Sequence, residues 1–443
     1  MAVWSVIDFG SLFQGVDIAA EHYHPDKLSA LKDLQKNGGE LVCSFASSAR
    51  VHAGSNILDG IPVFDLGAAT SHILDAGQAI KDERVSVKKM VRAGDVLISR
   101  LRSYLRQVAI VPPVIKQAAV STEFIVLHQK EQRNIAFLMP FLLSAPVQTI
   151  LAWSQDGNEH PRYNEAVLLG LPIPNSVLDL SDSLNTLVEA AQQKASQARD
   201  VFQEAEAILT AALGLDRVDL TPRLFYEDTY AHAASAARFD AEYYSPRMQN
   251  VINTLSAGGK TIGDVVSLMK RRFKAIPGKP FDYIEIADIG TAGTAGSNTV
   301  AGEDTPSRAT WIVKPGDIIT TTVRPIRRLS AIILPEQDCF VCSSGFAVLR
   351  PRDIEPELLL TYLRLPLVAE LLNLHTTASM YPAISTADLL RVPLQIPDER
   401  TRTTIASMVR VSLAARAESI SLLDEAKNMV ENAIVPLQSH IQT

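Results

Sequence analysis

The sequence predicts an α+β chain in which two similar heads alternate with two long helices that pair as an antiparallel coiled coil. Three observations predict this fold class: an internal repeat with a nearly constant offset, mixed strand and helix patterns in each copy, and a long helical segment after each copy. Together they predict that the two copies are related by a pseudo-twofold axis.

The internal repeat is the strongest signal in the sequence. The segment AAEHYHP, which ends at Pro25, is matched by DAEYYSP, which ends at Pro246, and later matches keep nearly the same offset. Solenoid repeats are about 20 to 50 residues long, so a period of half the chain indicates duplication of a whole domain and the helix after it. The matched pairs include Glu21 with Glu242, Tyr23 with Tyr244, Gly94 with Gly316, Asp95 with Asp317, Arg102 with Arg324, Arg106 with Arg328, Phe124 with Phe346, and Pro172 with Pro393.

Each copy combines strand and helix patterns, which predicts an α+β head. Short β-rich segments bounded by Gly-Asp or Pro predict strands, and longer apolar segments with helical periodicity predict helices followed by loops. The strands are predicted at 96–98, 108–111, 318–322 and 330–334, the helices at 135–150 and 356–374, and the loops at 155–162 and 376–382.

A long segment without Gly or Pro follows each copy, at 179–213 and 399–435, and predicts a helix. Apolar and small residues recur in both segments at heptad spacing, which predicts a coiled-coil seam. A helix of about 35 residues is roughly 50 Å long. The predicted domains are head 1 at 1–178, the first long helix at 179–213, a linker at 214–235, head 2 at 236–397 and the second long helix at 398–437.

Composition limits the class of protein. At 443 residues and 47% hydrophobic content, each head can bury a sizeable core. The longest apolar run, 135–147, is short and contains Pro140, so no membrane span is predicted. Three cysteines are too few for a disulfide framework, which favours a cytoplasmic location. The formal net charge of −7 requires that any binding of nucleic acid depend on local basic patches.

A chain with pseudo-twofold symmetry imitates a dimer. Dimeric DNA-binding proteins match half-sites about 34 Å apart, or a multiple of this distance. Because the two heads have diverged in sequence, the predicted DNA target is an asymmetric bipartite sequence with a gap that the paired helices set.

Three segments resemble the specificity subunit of type I restriction-modification enzymes, and the resemblance extends over essentially the full chain. They are RFDAEYYSP at 238–246, the paired GDVLIS and GDIITT segments that begin at Gly94 and Gly316, and the closing segment at 384–397. The first copy departs from the family pattern, because its closing segment at 161–174 lacks an Ile-Ser pair.

The resemblance implies the function and the partners. It implies two target-recognition domains, no catalytic residue and no cofactor in this chain. The implied partners are double-stranded DNA, two copies of an adenine-N6 methyltransferase subunit, which would hold S-adenosylmethionine, and nuclease-translocase subunits. The methyltransferases would modify the bipartite site and the nuclease subunits would cleave DNA.

Two basic clusters are the predicted DNA-binding regions. Residues 82–106 carry a formal charge of +4, and the corresponding residues 313–335 carry +3. Such residues either contact phosphates, which gives salt-dependent affinity, or bind base edges, which gives sequence preference. The candidates are Arg50, Lys88, Lys89, Arg100, Arg102, Arg106, Lys270, Arg271, Arg272, Lys274, Arg324, Arg327 and Arg328.

The long helices are predicted to bind protein partners. Residues 176–213 carry a formal charge of −4, which repels phosphate. Apolar residues that lie off the heptad seam either form a docking surface or pack against their own heads, and the sequence leaves both open. These residues are Val188, Leu209, Val409, Leu413, Ile420 and Leu423.

Other motifs predict no further site. Cys339 and Cys342 form a CxxC pair, but a zinc site needs about four ligands and there is no second pair. Two other functions stay open. One is a duplicated DNA-recognition subunit of another phage-defence assembly, and the other is a protein scaffold that binds no DNA.

Overall fold

The computed structural model describes residues 20–36, 38–48, 52–53, 61–80, 87–236, 238–290, 292–377 and 380–435. The chain divides into two compact units. Unit 1 comprises Met1–Ala195 with Ala417–Thr443, and unit 2 comprises Ser196–Arg416. Each unit therefore contains one head together with part of each long helix.

Head 1 contains short helices and short strands, as an α+β fold requires. Its α-helices are Pro25–Gln35, Val42–Phe45, Leu138–Leu143, Ala145–Ala152, Glu165–Leu169 and Asn175–Leu178. Its strands are Gly39–Leu41, Ala46–Ser48, His52–Ala53, Val63–Phe64, Lys88–Arg92, Val96–Ser99, Val108–Ile110, Gln117–Val120, Phe124–Gln129, Gln155–Asp156, Arg162–Tyr163 and Pro172–Pro174.

Head 2 and the linker before it have a similar series of elements. The α-helices are Tyr230–Ala236, Ala241–Tyr244, Pro246–Ser256, Ile262–Val265, Pro356–Arg364, Pro366–Leu374 and Thr386–Arg391. The strands are Lys260–Thr261, Val266–Met269, Phe281–Ile284, Asn298–Val300, Ala309–Ile312, Ile318–Thr321, Ser330–Ile332, Val341–Ser343, Phe346–Pro351, Thr376–Thr377, Ala383–Ile384 and Pro393–Leu394.

A four-stranded antiparallel sheet has the same strand order in both heads, and we call it the central sheet. In head 1 the order is Ala46–Ser48, Phe124–Gln129, Val96–Ser99 and Val108–Ile110. In head 2 it is Val266–Met269, Phe346–Pro351, Ile318–Thr321 and Ser330–Ile332. The repeat predicted from the sequence is confirmed by this shared order.

A second, mixed sheet differs between the heads at one edge. Three strands correspond, with the same combination of one parallel and one antiparallel pairing. The fourth described strand lies on opposite edges, beside Lys88–Arg92 in head 1 and beside Phe281–Ile284 in head 2. The duplicated heads therefore share the central sheet more closely than the mixed sheet.

The long helices extend over Ser181–Ala212 and Glu399–Ile434. In unit 1 the hydroxyl of Ser419 donates to the carbonyl of Ala191 at 2.8 Å, and Ser176 donates to the carbonyl of Ala433 at 2.8 Å. Ser176 precedes Ala191 in the chain, whereas its partner Ala433 follows Ser419. The two segments therefore run antiparallel, as predicted.

The predicted seam is also present in unit 2. There the hydroxyl of Ser412 donates to the carbonyl of Ala198 at 2.6 Å, and Ala198 and Ala205 are buried. Small side chains at these heptad positions allow the two backbones to approach closely enough for a serine hydroxyl to bond directly to the opposite helix. The coiled-coil prediction is therefore confirmed within each unit.

Among the described residues, no helix is both long enough and apolar enough to cross a membrane.

Candidate nucleic-acid interface

A short turn that contains two of the predicted arginines connects the same two strands of the central sheet in both heads. We call this segment, 102–106 in head 1 and 324–328 in head 2, the arginine turn. In head 1, Arg102 and Arg106 flank a 3₁₀ helix and have φ values of 51° and 47°. In head 2, Arg324 and Arg328 have φ values of 50° and 57°. All four arginines thus have left-handed backbone, which L-residues other than Asn and Asp rarely adopt.

A small hairpin supports the arginine turn of head 1. We call this hairpin, 155–163 in head 1 and 376–384 in head 2, the support hairpin. The backbone N–H of Arg102 donates to the carbonyl of Pro161 at 2.9 Å. The guanidinium of Arg102 also donates from Nη2 to Nδ1 of His160 at 3.2 Å. The hairpin therefore fixes both the backbone and the side chain of this arginine.

The support hairpin of head 2 makes equivalent contacts. The N–H of Arg324 donates to the carbonyl of Pro382 at 2.7 Å, and its Nη2 donates to the carbonyl of Met380 at 3.2 Å. The guanidinium carbon lies 5.3 Å from the ring centroid of Tyr381. Tyr381 and Pro382 are the repeat equivalents of His160 and Pro161, so the same support occurs twice.

His160 and Tyr381 are not among the residues predicted from the sequence. The two residues are related by the offset of the repeat, which could have identified them as equivalent. Because one is histidine and the other tyrosine, the repeat does not appear as an identity at this position. Tyr381 is 66% exposed and Met380 is 75% exposed, beside a cation. A guanidinium with an exposed aromatic ring next to it can contact a phosphate and a base or sugar surface together.

The surface around the arginine turn of head 1 is organised by Glu123. Its carboxylate accepts hydrogen bonds from Arg100 Nε at 3.1 Å and from Arg162 Nη2 at 2.8 Å. The bonds from Arg162, followed by those from Arg100, lower the pKa of Glu123 despite its partial burial. The predicted contact residue Arg100 is therefore held in an ion pair, with its side chain 42% exposed.

Lys88 and Lys89 lie on the strand Lys88–Arg92 of the mixed sheet, and both are half-buried. The Lys89 ammonium donates to the carbonyl of Phe124 at 2.7 Å. Burial lowers the pKa of Lys89, and the charge of Arg100 acts in the same direction. Lys89 is therefore directed toward the cluster of Arg100 and Glu123.

In head 2 the corresponding positions are different. Arg100 and Glu123 correspond to Thr322 and Gly345, which are joined by a backbone bond at 2.8 Å and a hydroxyl bond at 3.0 Å. Arg162 corresponds to Ala383. The charged cluster beside the arginine turn is thus a property of head 1.

Head 2 has its additional cations on the segment after Val266–Met269. Lys270, Arg272 and Lys274 are exposed, and the Arg272 guanidinium lies 6.0 Å from the ring centroid of Trp311. These three side chains are accessible to a ligand. Arg327, within the arginine turn, is also exposed.

Arg271 is a correction to the predicted set. Its Nη2 donates to the carboxylate of Asp317, which is fully buried, and its Nε donates to the carbonyl of Ile312 at 3.1 Å. Arg350 pairs with the other oxygen of Asp317. The guanidinium of Arg271 neutralises a buried charge, so we assign it a structural role. Arg50 lies outside the described residues.

The docking hypothesis for the long helices requires a larger correction. Val188, Leu209 and Val409 are at most 1% exposed, and Leu413 and Leu423 are 8% and 6% exposed. Val188 and Leu423 belong to the buried core that contains head 1. Leu209, Val409 and Leu413 belong to the buried core that contains head 2. They pack there because the cores bury apolar helix faces away from water. Ile420, at 45% exposure, is the predicted docking residue that remains accessible.

Within the described part of the chain, no group of three or more His, Cys, Asp or Glu residues could hold a metal ion. Cys339 is exposed and Cys342 is buried, and burial raises the pKa of the Cys342 thiol to about 12. A neutral buried thiol is a core residue rather than a reactive one.

No family model and no curated protein matches the chain. Solved structures do align with it, each over 89% of its length. An HsdS subunit from Thermoanaerobacter tengcongensis has 17% identity, 95% of that chain covered and a TM-score of 0.28. The S subunit of a type I restriction-modification system from M. genitalium has 11% identity, 95% coverage and a TM-score of 0.38.

A third solved structure, described as showing complex assembly and conformational transition of the type I R-M system, has 18% identity, 96% coverage and a TM-score of 0.27. The chain is thus similar to solved structures of the family that its sequence motifs resemble.

Proposed function

We propose that this chain is the DNA-specificity subunit of a type I restriction-modification enzyme. One observation carries the proposal: an arginine turn on a support hairpin occurs once in each head, at the same place on the central sheet. Left-handed backbone costs a non-glycine residue about 1 to 3 kcal/mol, and such strain is concentrated at functional sites. Four strained arginines in a chain of net charge −7 are best explained by an anionic ligand such as DNA.

The recurrent and head-specific cations have different proposed roles. Arg102, Arg106, Arg324 and Arg328 recur at equivalent positions, which suits phosphate contacts that orient each head on the duplex. Cations present in one head only suit base contacts, because the two half-sites differ in sequence. These are Lys88, Lys89 and Arg100 in head 1 and Arg272, Lys274 and Arg327 in head 2, whereas Lys270 is the equivalent of Arg50.

The proposed assembly follows from this role. Residues 1–178 and 236–397 are the two target-recognition domains, and they bind the two parts of an asymmetric bipartite site. Two adenine-N6 methyltransferase subunits, which hold S-adenosylmethionine, and nuclease-translocase subunits supply catalysis in the cytoplasm. Ile420 and the exposed faces of the long helices are the candidate surface for the methyltransferases.

The decisive experiment is co-expression of the chain with the methyltransferase encoded beside it, followed by mapping of N6-methyladenine in the host DNA. We expect methylation within one gapped motif. Changing Arg102, Arg106, Arg324 and Arg328 together to alanine is expected to abolish this methylation. The double variant Arg217→Ala and Arg391→Ala, which removes two exposed arginines outside the interface, serves as the control. Methylation without a sequence motif would contradict the proposal.

DNA affinity measured over a range of salt concentrations separates phosphate contacts from base contacts. Each phosphate contact contributes about 0.9 to the slope of log affinity against log salt concentration. Removing Arg102 and Arg106 together should therefore lower the slope by about two for any DNA sequence. A scaffold that binds no DNA predicts no retention of DNA even at low salt. A DNA-recognition subunit of another defence assembly predicts retention without adenine methylation.

A further inference from the structure

Each support hairpin begins immediately after a helix of its own head. In head 1 the helix Ala145–Ala152 is capped by Trp153, and the hairpin starts at Gln155. In head 2 the helix Pro366–Leu374 is capped by His375, and the hairpin starts at Thr376. Two-stranded hairpins are marginally stable on their own, and these have two residues in each strand. The hairpins therefore depend on contacts that hold their bases.

In head 2 the base of the hairpin is held by Arg238, which lies near the start of the head in the RFDAEYYSP segment. Its Nη2 donates to the carbonyl of Leu374 at 2.8 Å, and its Nη1 contacts Nδ1 of His375 at 2.9 Å. The carboxylate of Asp240 accepts from Arg238 Nε at 2.8 Å and from Nη2 at 2.6 Å. The ring centroid of Tyr243 lies 4.6 Å from the guanidinium carbon. Asp240 and Tyr243 thus fix the guanidinium while it holds the end of the helix.

In head 1 the same place is held by different residues. The imidazole of His24 stacks on the indole of Trp153, with ring centroids 3.6 Å apart and planes inclined by 5°. The ammonium of Lys27 donates to the carbonyl of Trp153 at 3.4 Å. Trp153 is the repeat equivalent of Leu374, so Lys27 and Arg238 donate to equivalent carbonyls. Two unrelated sets of contacts therefore fix the same helix end in the two heads. This indicates that fixing the helix end is required, while the residues that fix it can differ.

We propose that Arg238 in head 2 and His24 in head 1 are positioning residues for the arginine turns. Each fixes the helix end from which the support hairpin starts, and the hairpin in turn holds the backbone of Arg324 or Arg102 through a carbonyl of its tip. The consequence for DNA recognition rests on the proposed function, whereas the mechanical link from residue to hairpin does not. This role explains why a segment outside the interface recurs near the start of both heads.

In head 2 this link depends on pH. Nδ1 of His375 accepts a hydrogen bond from Arg238 only when the imidazole is neutral. Burial, followed by the charge of Arg238, lowers the pKa of His375, while Asp388 and Asp240 oppose this shift. The stabilisation is therefore present above a pH of about 6.5, the pKa of an unperturbed histidine, and is lost as the pH falls below it. Protonated His375 would repel Arg238.

Hydrogen exchange on the full-length chain tests the link without DNA. The reporters are the N–H groups of Arg324 and Ile384, which donate to carbonyls across the contact between turn and hairpin. We expect Arg238→Ala to accelerate their exchange by about tenfold or more, because bonds from a charged donor are lost. Arg238→Lys should restore part of the protection. The control is Arg352→Ala, whose guanidinium donates to the carbonyl of Val266 elsewhere in head 2.

The other head supplies a second, independent variant. His24→Ala should accelerate exchange of the N–H groups of Arg102 and Tyr163, which bond to Pro161 and Arg100. The reporters of head 2 should be unchanged in this variant. The proposal is overturned if neither variant changes the exchange rates of the reporter N–H groups in its own head while the rest of that head stays protected.

A pH series distinguishes positioning from a general contribution to stability. After correction for intrinsic exchange rates, protection of Ile384 should fall as the pH drops below about 6.5, and His375→Phe should remove this step. A step that persists in His375→Phe would count against the link. If the exchange results hold but methylation mapping finds no motif, the positioning role stands and the DNA function fails. If methylation mapping finds a motif but hydrogen exchange is unchanged in the variants, the DNA function stands and the positioning role fails.

Discussion

The two heads of this chain share a framework and differ in the charges around it. Both have the central sheet, an arginine turn with two left-handed arginines, and a support hairpin that bonds to the first of them. Head 1 then adds Arg100, Glu123 and Arg162, where head 2 has Thr322, Gly345 and Ala383. This difference teaches that duplication preserved the parts that present the arginines, while the neighbouring side chains diverged. The proposed bipartite target, with two unlike halves, would require this division.

A second difference lies just before the strand that leads to the arginine turn. The buried Asp95 of head 1 accepts a hydrogen bond from Nδ1 of His128 at 2.5 Å. The equivalent Asp317 of head 2 pairs with both Arg271 and Arg350. In head 1 this carboxylate is bonded to one imidazole, and Arg92 Nε lies 3.9 Å away. In head 2 the equivalent carboxylate has two closely paired arginines.

The largest expected effect distinguishes these two aspartates. Asp317→Ala should destabilise head 2 by about 3 kcal/mol, at the low end for a broken buried ion pair because both arginines are partly exposed. Asp95→Ala should cost less in head 1, because its arginine partner, Arg92, lies 3.9 Å away and is 62% exposed, so the charge of Arg92 stays hydrated when the carboxylate is removed. Unfolding of each head is followed by hydrogen exchange against urea concentration. Equal losses in the two heads would show that the number of paired cations does not matter.

An intermediate effect is expected at Glu123, which head 2 lacks. Glu123→Gln should cost head 1 about 1 kcal/mol, because the ion pairs with Arg100 and Arg162 are partly exposed. The pKa of Glu123 is lowered in the folded state, so its contribution is present above a pH of about 4.3 and is lost as the pH falls through the lowered value.

The same variant also tests how head 1 contacts bases. Release of Arg100 and Arg162 should change the preferred bases in one half of the methylated motif and leave the other half unchanged. Motif mapping of the co-expressed variant measures this directly, with Glu40→Gln, an exposed acidic residue on the strand Gly39–Leu41, as the control. A change in both halves would contradict the separate roles of the heads.

The smallest effects are expected at the helix seam. Ser412 and Ser419 correspond to Ala191 and Ala198, so alanine already occupies the equivalent seam positions of the other helix. Ser412→Ala and Ser419→Ala should each cost about 1 kcal/mol or less, the value of one neutral hydrogen bond. Thermal unfolding of the single variants measures the loss. A loss well above the value of one such bond would indicate that the hydroxyls fix the register of the helices.

The sequence predicts the parts of this fold that depend on local periodicity. The heptad pattern predicts both long helices and identifies Ala198 and Ala205 as seam residues, and both are buried. The repeat predicts two α+β heads, and strand order confirms it. The packing partners of the apolar residues off the seam could not be predicted, because periodicity shows that a helix face is apolar but not what covers it. The heads cover Val188 and Leu209, and the docking surface is correspondingly smaller.

By itself, the sequence determined that this chain is duplicated, that each copy ends in a long helix, and that Arg102, Arg106, Arg324 and Arg328 recur. Only the tertiary structure decided how the cations are used. Arg271 and Asp317 are 46 residues apart and Arg102 and His160 are 58 apart, yet each pair is in contact. Contacts over such separations leave no periodic trace, because they depend on how the sheets and loops fold together rather than on the spacing of residues along one element.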